Sequence, residues 1–437
     1  MFRLASVFLF GGLLATAYSD WPHFRGPQLT GEAPDADPPM VWSDTENVRW
    51  KVDLPGLGHS SPIVWNHRVF LTSAIPFGDP LPEPKFSGRE GAHNNLPISR
   101  KQRFVVLAVD RLTGEMLWET PVHEALPHEG GHETGSLASA SIVTDGELIY
   151  AFFGSYGLYC LDFEGTQIWS VEIGRMHSKH GHGEGASPLV VGNSVVINWD
   201  HEEESSISAF DRKTGELQWR TVRDEKTSWS SPISANVDGR MQVIVSGTKA
   251  VRGYDLETGE VIWECGPLSA NVVASPVYRD GIVYAMSSYT FQAGFAVRIS
   301  NGAKGDLSGG ERVLWRRTRR TPYIPTPLLT EGVLYFLAHY QGVLSRVEAQ
   351  TGEEATGPFR IPGMREVYAS PVSAKGRIYF VDRSGATLVL STDPEPKPLA
   401  LNQLDDRFSA TPALVDEMLI LRGERHLYGI EEVEAVD

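Results

Sequence analysis

Cysteine is nearly absent from this chain of 437 residues, with only Cys160 and Cys265. A disulfide framework is therefore not what holds the fold together. Basic charge is also scarce: 39 Lys and Arg face 55 Asp and Glu, a formal net charge of −16. Phosphate backbones need a basic footprint, so nucleic acid is excluded as an expected partner. Long apolar runs are missing too. The longest, residues 4–14, is too short to span a bilayer as a helix. It follows Arg3 and precedes Ala15-Thr16-Ala17, so residues 1–17 read as a secretory signal peptide. No cysteine follows the cleavage site, so no lipid anchor is expected. The mature chain is expected to be periplasmic or secreted, monomeric, and without an integral membrane segment.

What the chain has in plenty is glycine, 43 residues, and tryptophan, 11. That composition suits turn-rich β structure with large wedges between sheets. Residues 187–219 show the unit. Pro188 opens a short strand, where its missing N–H does no harm. Gly192-Asn193 is a two-residue turn, so 189–191 and 195–198 read as a hairpin. A polar loop leads to a third strand at 207–210. Residues 211–215 then turn tightly on an Asp that accepts backbone N–H groups and a Gly that tolerates positive φ. A fourth strand at 216–220 carries Trp219.

This unit recurs. The opening Ser/Thr-Pro stands at Pro62, Pro188, Pro232, Pro276, Pro327, Pro371 and Pro412, with Ala140-Ser141 as a degenerate copy. A turn pair follows each slot. The third-strand turn and closing Trp recur at 109–118, 254–263 and, reduced, 161–169, while Trp315 closes the fifth copy and copies six and seven lack the Trp. A four-stranded sheet cannot bury both faces alone, so eight stacked copies predict an all-β, single eight-bladed β-propeller. The last repeat lacks its fourth strand, and residues 48–52 supply one carrying Trp50. The N-terminal strand is expected to complete the last blade and close the ring. Residues 47–437 are then the propeller. Residues 18–46 are a strap across it, with Trp21 and Phe24 as anchors. The two cysteines fall in non-adjacent blades, beyond bridging range, and read as free thiols.

Strands one to four of a blade run outward from the axis. Connections between blades and loops between strands two and three therefore share one face, the top. Most chemistry-bearing residues are expected there. His123, His128 and His132 fall in the connection from blade one to two, and His177, His180, His182 and Glu184 in that from two to three. Asp200 and His201 open the top loop of blade three, and His59 and His93 belong to the same region. The long insertion at 75–102, without a strand or helix period, is expected to cover part of the axis. Arg316, Arg317, Arg319 and Arg320 are expected across the axis from the histidines. Histidine and carboxylate are ligand types for zinc or another borderline metal. The spacing matches no zinc signature, and a solvated polar loop is the alternative. The aromatics Tyr156, Trp199, Trp229, Tyr289, Phe291, Tyr323, Tyr340 and Tyr368 suit a protein, small-molecule or carbohydrate contact as well as simple packing.

The motif A-x-D-x-x-T-G-x-x-x-W, at residues 108–118 and 209–219, resembles the tryptophan-docking motif of PQQ-like propellers. The resemblance covers about residues 47–432. It implies that Trp50, Trp118, Trp169, Trp219, Trp263 and Trp315 each wedge against the next blade. It also implies one of two roles. Quinoprotein alcohol and sugar dehydrogenases hold pyrroloquinoline quinone (PQQ) and Ca²⁺ on the axis. The outer-membrane protein assembly factor is a non-catalytic scaffold. No matching set of Ca²⁺ ligands and catalytic base is found in the sequence, so no catalytic residue is assigned. The expected role is an exported binding or scaffold module acting through the top face. A PQQ- or metal-dependent oxidoreductase is the alternative.

Overall fold

The computed structural model describes residues 19–433. The expected signal peptide lies outside them. Eight sheets, each built on four antiparallel strands, form the propeller. Blade three is representative, with strands Leu189–Val191, Ser194–Trp199, Ser205–Asp211 and Leu217–Arg223. Its second and third strands are buried almost throughout, because neighbouring blades cover both faces. Its fourth strand is mostly exposed apart from Trp219 and Arg223, since it forms the rim. Innermost strands touch one another around the axis, as Ile63–Trp65 does with Val143–Thr144 and Ala413–Val415.

The ring closes as expected. Val48–Asp53 pairs antiparallel with His426–Ile430 and completes the last blade. Trp50 then donates to the Arg111 carbonyl of blade one at 2.8 Å. Four other tryptophans dock on the following blade in the same way: Trp118 on Phe163, Trp169 on Arg212, Trp219 on Leu256 and Trp315 on Ala349. The receiving turn needs glycine. Gly259 has a φ of +72°, and a Cβ there would stand 2.4 Å from Trp219.

Trp263 departs from the pattern. Its indole donates to Gln242 Oε1 of its own blade at 2.8 Å. Blade five lacks the Asp-turn receptor. Its third and fourth strands, Gln292–Arg298 and Val313–Arg317, are joined by a long excursion, and Gly305–Asp306 from that excursion pairs in parallel with Val261–Cys265 as a fifth strand of blade four. The slot of blade two also shifts by one residue. Ser141-Ile142, rather than Ala140-Ser141, occupies the Ser-Pro position, because Ser141 takes the place in the hydrogen-bonded ring that Ser187 takes in blade three. Cys160 and Cys265 are buried free thiols.

That ring joins all eight blades. The backbone N–H of each slot Ser or Thr donates to the hydroxyl of the next. Donation runs from Ser61 through Ser141, Ser187, Ser231, Ser275, Thr326, Ser370 and Thr411 and back to Ser61, at 2.8–3.1 Å.

The opposite end of the axis is crossed by residues 19–46. Trp21 bridges Val64 of blade one, and the Pro22 carbonyl accepts from Thr144 of blade two. Leu29 packs against the cluster between blades three and four and that between blades four and five. Glu32 pairs with Arg279 of blade five, and Gly31 and Ala33 bond to Ser373 of blade seven. Arg25 is 1% exposed and donates to the carbonyls of Pro371, Thr30 and Pro327. Trp21 is fully buried, whereas Phe24 is half-buried against His23.

Candidate functional site

A cavity of about 440 Å³ lies on the axis at the top. Every blade connection contributes to its wall: His59, Ser139, Gly185, Trp229, Val273, Ile324, Tyr368 and Ser409. Residues 19–46 cross the far end of the axis, and none of them lines the cavity.

Its wall is divided. On the side of blades five to seven Tyr289 stacks on Tyr323 with ring centres 5.5 Å apart, and Tyr323 on His339 at 4.8 Å. Tyr340 follows at 4.6 Å from His339, and Tyr368 at 5.6 Å from Tyr340. Burial pushes Tyr323 up to about 12, so its phenol is neutral. His339 was not singled out in the sequence, although it lies in the same kind of loop as Tyr289. On the side of blades one and two the wall is His93, His132 and His182. Burial, together with the neighbouring His132, His93 and His180, lowers His182 to about 4. Burial also lowers His132. These two imidazoles are neutral at neutral pH.

The long insertion brings His93 to this wall. Its ends belong to strands Arg68–Phe77 and Lys101–Asp110, more regular than the sequence suggests. Residues between them dock on the turn at 179–183. Asn95 donates to the His180 carbonyl at 2.7 Å, and a Cβ on Gly181 would lie 2.1 Å from Ser87 Oγ.

Glu184 lines the axial cavity and also a smaller one of about 30 Å³. Its carboxylate accepts from Ser155 N–H and Oγ–H, both at 2.5 Å. Burial pushes it up to about 7. The smaller cavity has room for about one water. His128 and Glu129 line it. With His177 they are the one set of three potential metal ligands, among the described residues, whose donor atoms lie within 4.8 Å of one another. Two of the three are already engaged. His128 Nε2 donates to the Met176 carbonyl at 2.8 Å, and its Nδ1 meets Tyr156 Oη at 3.0 Å. Glu129 accepts from Arg89 and from Ser178.

The remaining sequence candidates divide. Trp229 is in the wall and donates to the Gly183 carbonyl. Asp200 is 2% exposed and takes Arg223 and Ser228 as buried partners, so it holds blade three to the next connection. His201 is buried, bonded to the Glu204 carbonyl and the Glu203 N–H. His177 sits apart from His180 and His182, between Glu129 and Glu203. His123 is on strand Met116–Ala125, not in a connection, because that strand runs on past Pro121. The arginines do not face the histidines across the axis. Arg316 and Arg317 end the rim strand of blade five, where Arg316 bonds to the Gly266 and Ser308 carbonyls. Arg317 and Arg320 share Glu354, and Arg319 contributes its carbonyl to Arg317. None of the four lines the cavity. Tyr156 and Trp199 pack in the interior, and Phe291 is exposed away from the wall.

No curated protein sequence matches the chain. Solved structures share its fold. BamB from Moraxella catarrhalis matches at TM-score 0.54 and 14% identity, over 82% of this chain and 99% of that one. Quinohemoprotein alcohol dehydrogenase from Comamonas testosteroni matches at 0.60 and 10%, over 96% and 81%. A europium-containing methanol dehydrogenase matches at 0.61 and 10%, over 94% and 90%. A family model described as outer membrane protein assembly factor BamB matches residues 102–357, and with the repeats, the docked tryptophans and the closed eight-bladed ring it shows that this chain belongs to that family of PQQ-like propellers.

Proposed function

We propose that the chain is an exported, non-catalytic binding module that takes a group of a partner into the axial cavity of its top face. The observation that carries this is the cavity wall: every blade connection contributes to it, and aromatic rings and neutral imidazoles dominate its polar lining. Such a wall suits a neutral ring-bearing group, a sugar or an aromatic side chain of a partner protein. Export rests on the signal-like residues 1–17.

The quinone reading fits these residues poorly. PQQ is a polycarboxylate accompanied by Ca²⁺, and Ca²⁺ takes six to eight oxygen ligands. No Lys or Arg lines the cavity, and its one carboxylate is Glu184, already bonded to Ser155. The donor set is imidazole and phenol.

Trp229 gives a direct test, since it lies in the wall. Its fluorescence is titrated with neutral oligosaccharides and with aromatic-rich peptides. One class is expected to give a saturable change that disappears in the Tyr323→Ala/Tyr340→Ala variant at unchanged melting temperature. No response to either class, or dye-linked alcohol oxidation after addition of PQQ and Ca²⁺, overturns the proposal.

A further inference from the structure

At the rim of the cavity four imidazoles from three segments meet. His93 comes from the insertion of blade one, His132 from the connection to blade two, and His180 and His182 from the connection to blade three. Ring centres of His93, His180 and His182 are 5.2, 4.8 and 5.4 Å apart. Three imidazoles on one tetrahedral metal, with metal–nitrogen bonds of about 2.0–2.1 Å, have ring centres on the order of 5 Å apart.

The hydrogen bonds prepare the same three rings. His93 Nδ1 donates to the Gly91 carbonyl at 2.8 Å, and His180 Nδ1 to the Glu90 carbonyl at 3.3 Å. Each neutral ring then carries its lone pair on Nε2. The His182 ring is bonded to the His93 backbone, and its Nε2 is buried without a partner. A ring N–H held by a backbone carbonyl, with the other nitrogen free, is the arrangement of metal-ligating histidine. His132 differs. Its Nδ1 accepts from Thr134 N–H at 3.2 Å, so its proton is on Nε2. It stands 4.7 Å from His182 as a neighbouring N–H donor.

We propose that His93, His180 and His182 bind one borderline divalent metal ion of the zinc class. The ion fastens the insertion of blade one to the connection between blades two and three. An all-imidazole set selects such ions over Ca²⁺ or Mg²⁺. In this structure the donor nitrogens of the three rings do not all lie within 4.8 Å of one another, so binding draws together rings whose centres already have the required spacing. The fourth coordination position is left for water or for a donor atom of the cavity's occupant. This site goes beyond the binding reading above and stands without it.

The test uses Zn²⁺ alone on chelator-treated full-length protein, by calorimetry, with Co²⁺ absorption as the spectroscopic check. One Zn²⁺ per chain is expected, and Co²⁺ should show the intense visible bands of a four-coordinate site. The His93→Ala/His182→Ala variant should weaken Zn²⁺ binding by about 100-fold or more. His180→Gln is a single conservative variant at a turn and should weaken it as well. The His128→Ala/His177→Ala variant should leave it unchanged. Zn²⁺ should also slow tryptic cleavage at Lys85 and Arg89, and not in the His93→Ala/His182→Ala variant. Unchanged affinity in both rim variants, loss of binding only in the His128/His177 variant, or no binding by the folded parent overturns the proposal.

Discussion

The two ends of the axis are finished by opposite means. At the far end, one extended segment lies across the blades and is held by backbone bonds and by Arg25, whose guanidinium meets three carbonyls. At the top, separate loops from separate blades meet over a cavity, and their histidine and tyrosine rings lie against one another. The difference teaches where each kind of change should register. Substitutions at the far end act on stability, and those at the top act on binding and on pH response.

The largest effect should come from deleting residues 19–53, which removes both the crossing segment and the closing strand. A loss of several kcal/mol is expected, a large part of a usual total of about 5–15 kcal/mol. A urea midpoint equal to the parent's would end the idea that this segment closes the ring. Next, Trp21→Ala should cost about 3–5 kcal/mol, the range for a large buried aromatic. It should match or exceed Trp219→Ala, since Trp21 is 0% exposed and Trp219 9%. A Trp21→Ala loss well below that of Trp219→Ala would weaken the contrast between the ends.

Glu184 sharpens the contrast from the top. Its folded value of about 7 lies above the ordinary 4.5 because of burial. The folded state therefore holds this proton more tightly than the unfolded state. The stabilisation is complete below about pH 4.5 and is lost as pH rises through about 7. At 1.36 kcal/mol per unit, and with the side chain slightly exposed, the loss is about 2–3 kcal/mol. Glu184→Gln should remove it, seen as the difference between the two proteins' urea midpoints from pH 4 to 8. Parallel pH curves would contradict the assignment. Smallest is Ser231→Ala, which strips the acceptor from the Ser187 N–H. About 1–2 kcal/mol is expected for a buried donor left unpaired. A neutral effect would mean that water replaces the hydroxyl.

The blades were legible because each repeats its own turn chemistry. Asp110, Asp211 and Asp255 accept from the N–H groups two and three residues on, as their D-x-x-T-G spacing requires. The missing fourth strand of the last repeat gave away the closure. The cavity was legible in part. Tyr289, Tyr323, Tyr340, Tyr368, Trp229, His132 and His182 were placed on the top face by the repeat register alone, and all reach its wall. What failed were assignments resting on position without direction. Arg316 and Arg317 sit at the right height but on an outermost strand, so their radius puts them far from the axis. Asp200 lies in the right loop, yet Arg223 claims it from below. Arg25 left no trace in the pattern, because its partners are carbonyls, which every residue has.

The hydroxyl ring has a consequence for how such a chain can be cut and rejoined. Its eight links all run the same way around and all lie where the innermost strands begin. The junction between Val48–Asp53 and His426–Ile430 is on the rim instead. The seam that closes the last blade and the inner circuit are thus at different radii. Moving the ends to another rim turn, such as residues 211–215, would leave every inner link uncut. Inserting one more repeat would add a link identical to the others. The polypeptide has a beginning and an end, but the circuit at its centre has no preferred starting blade.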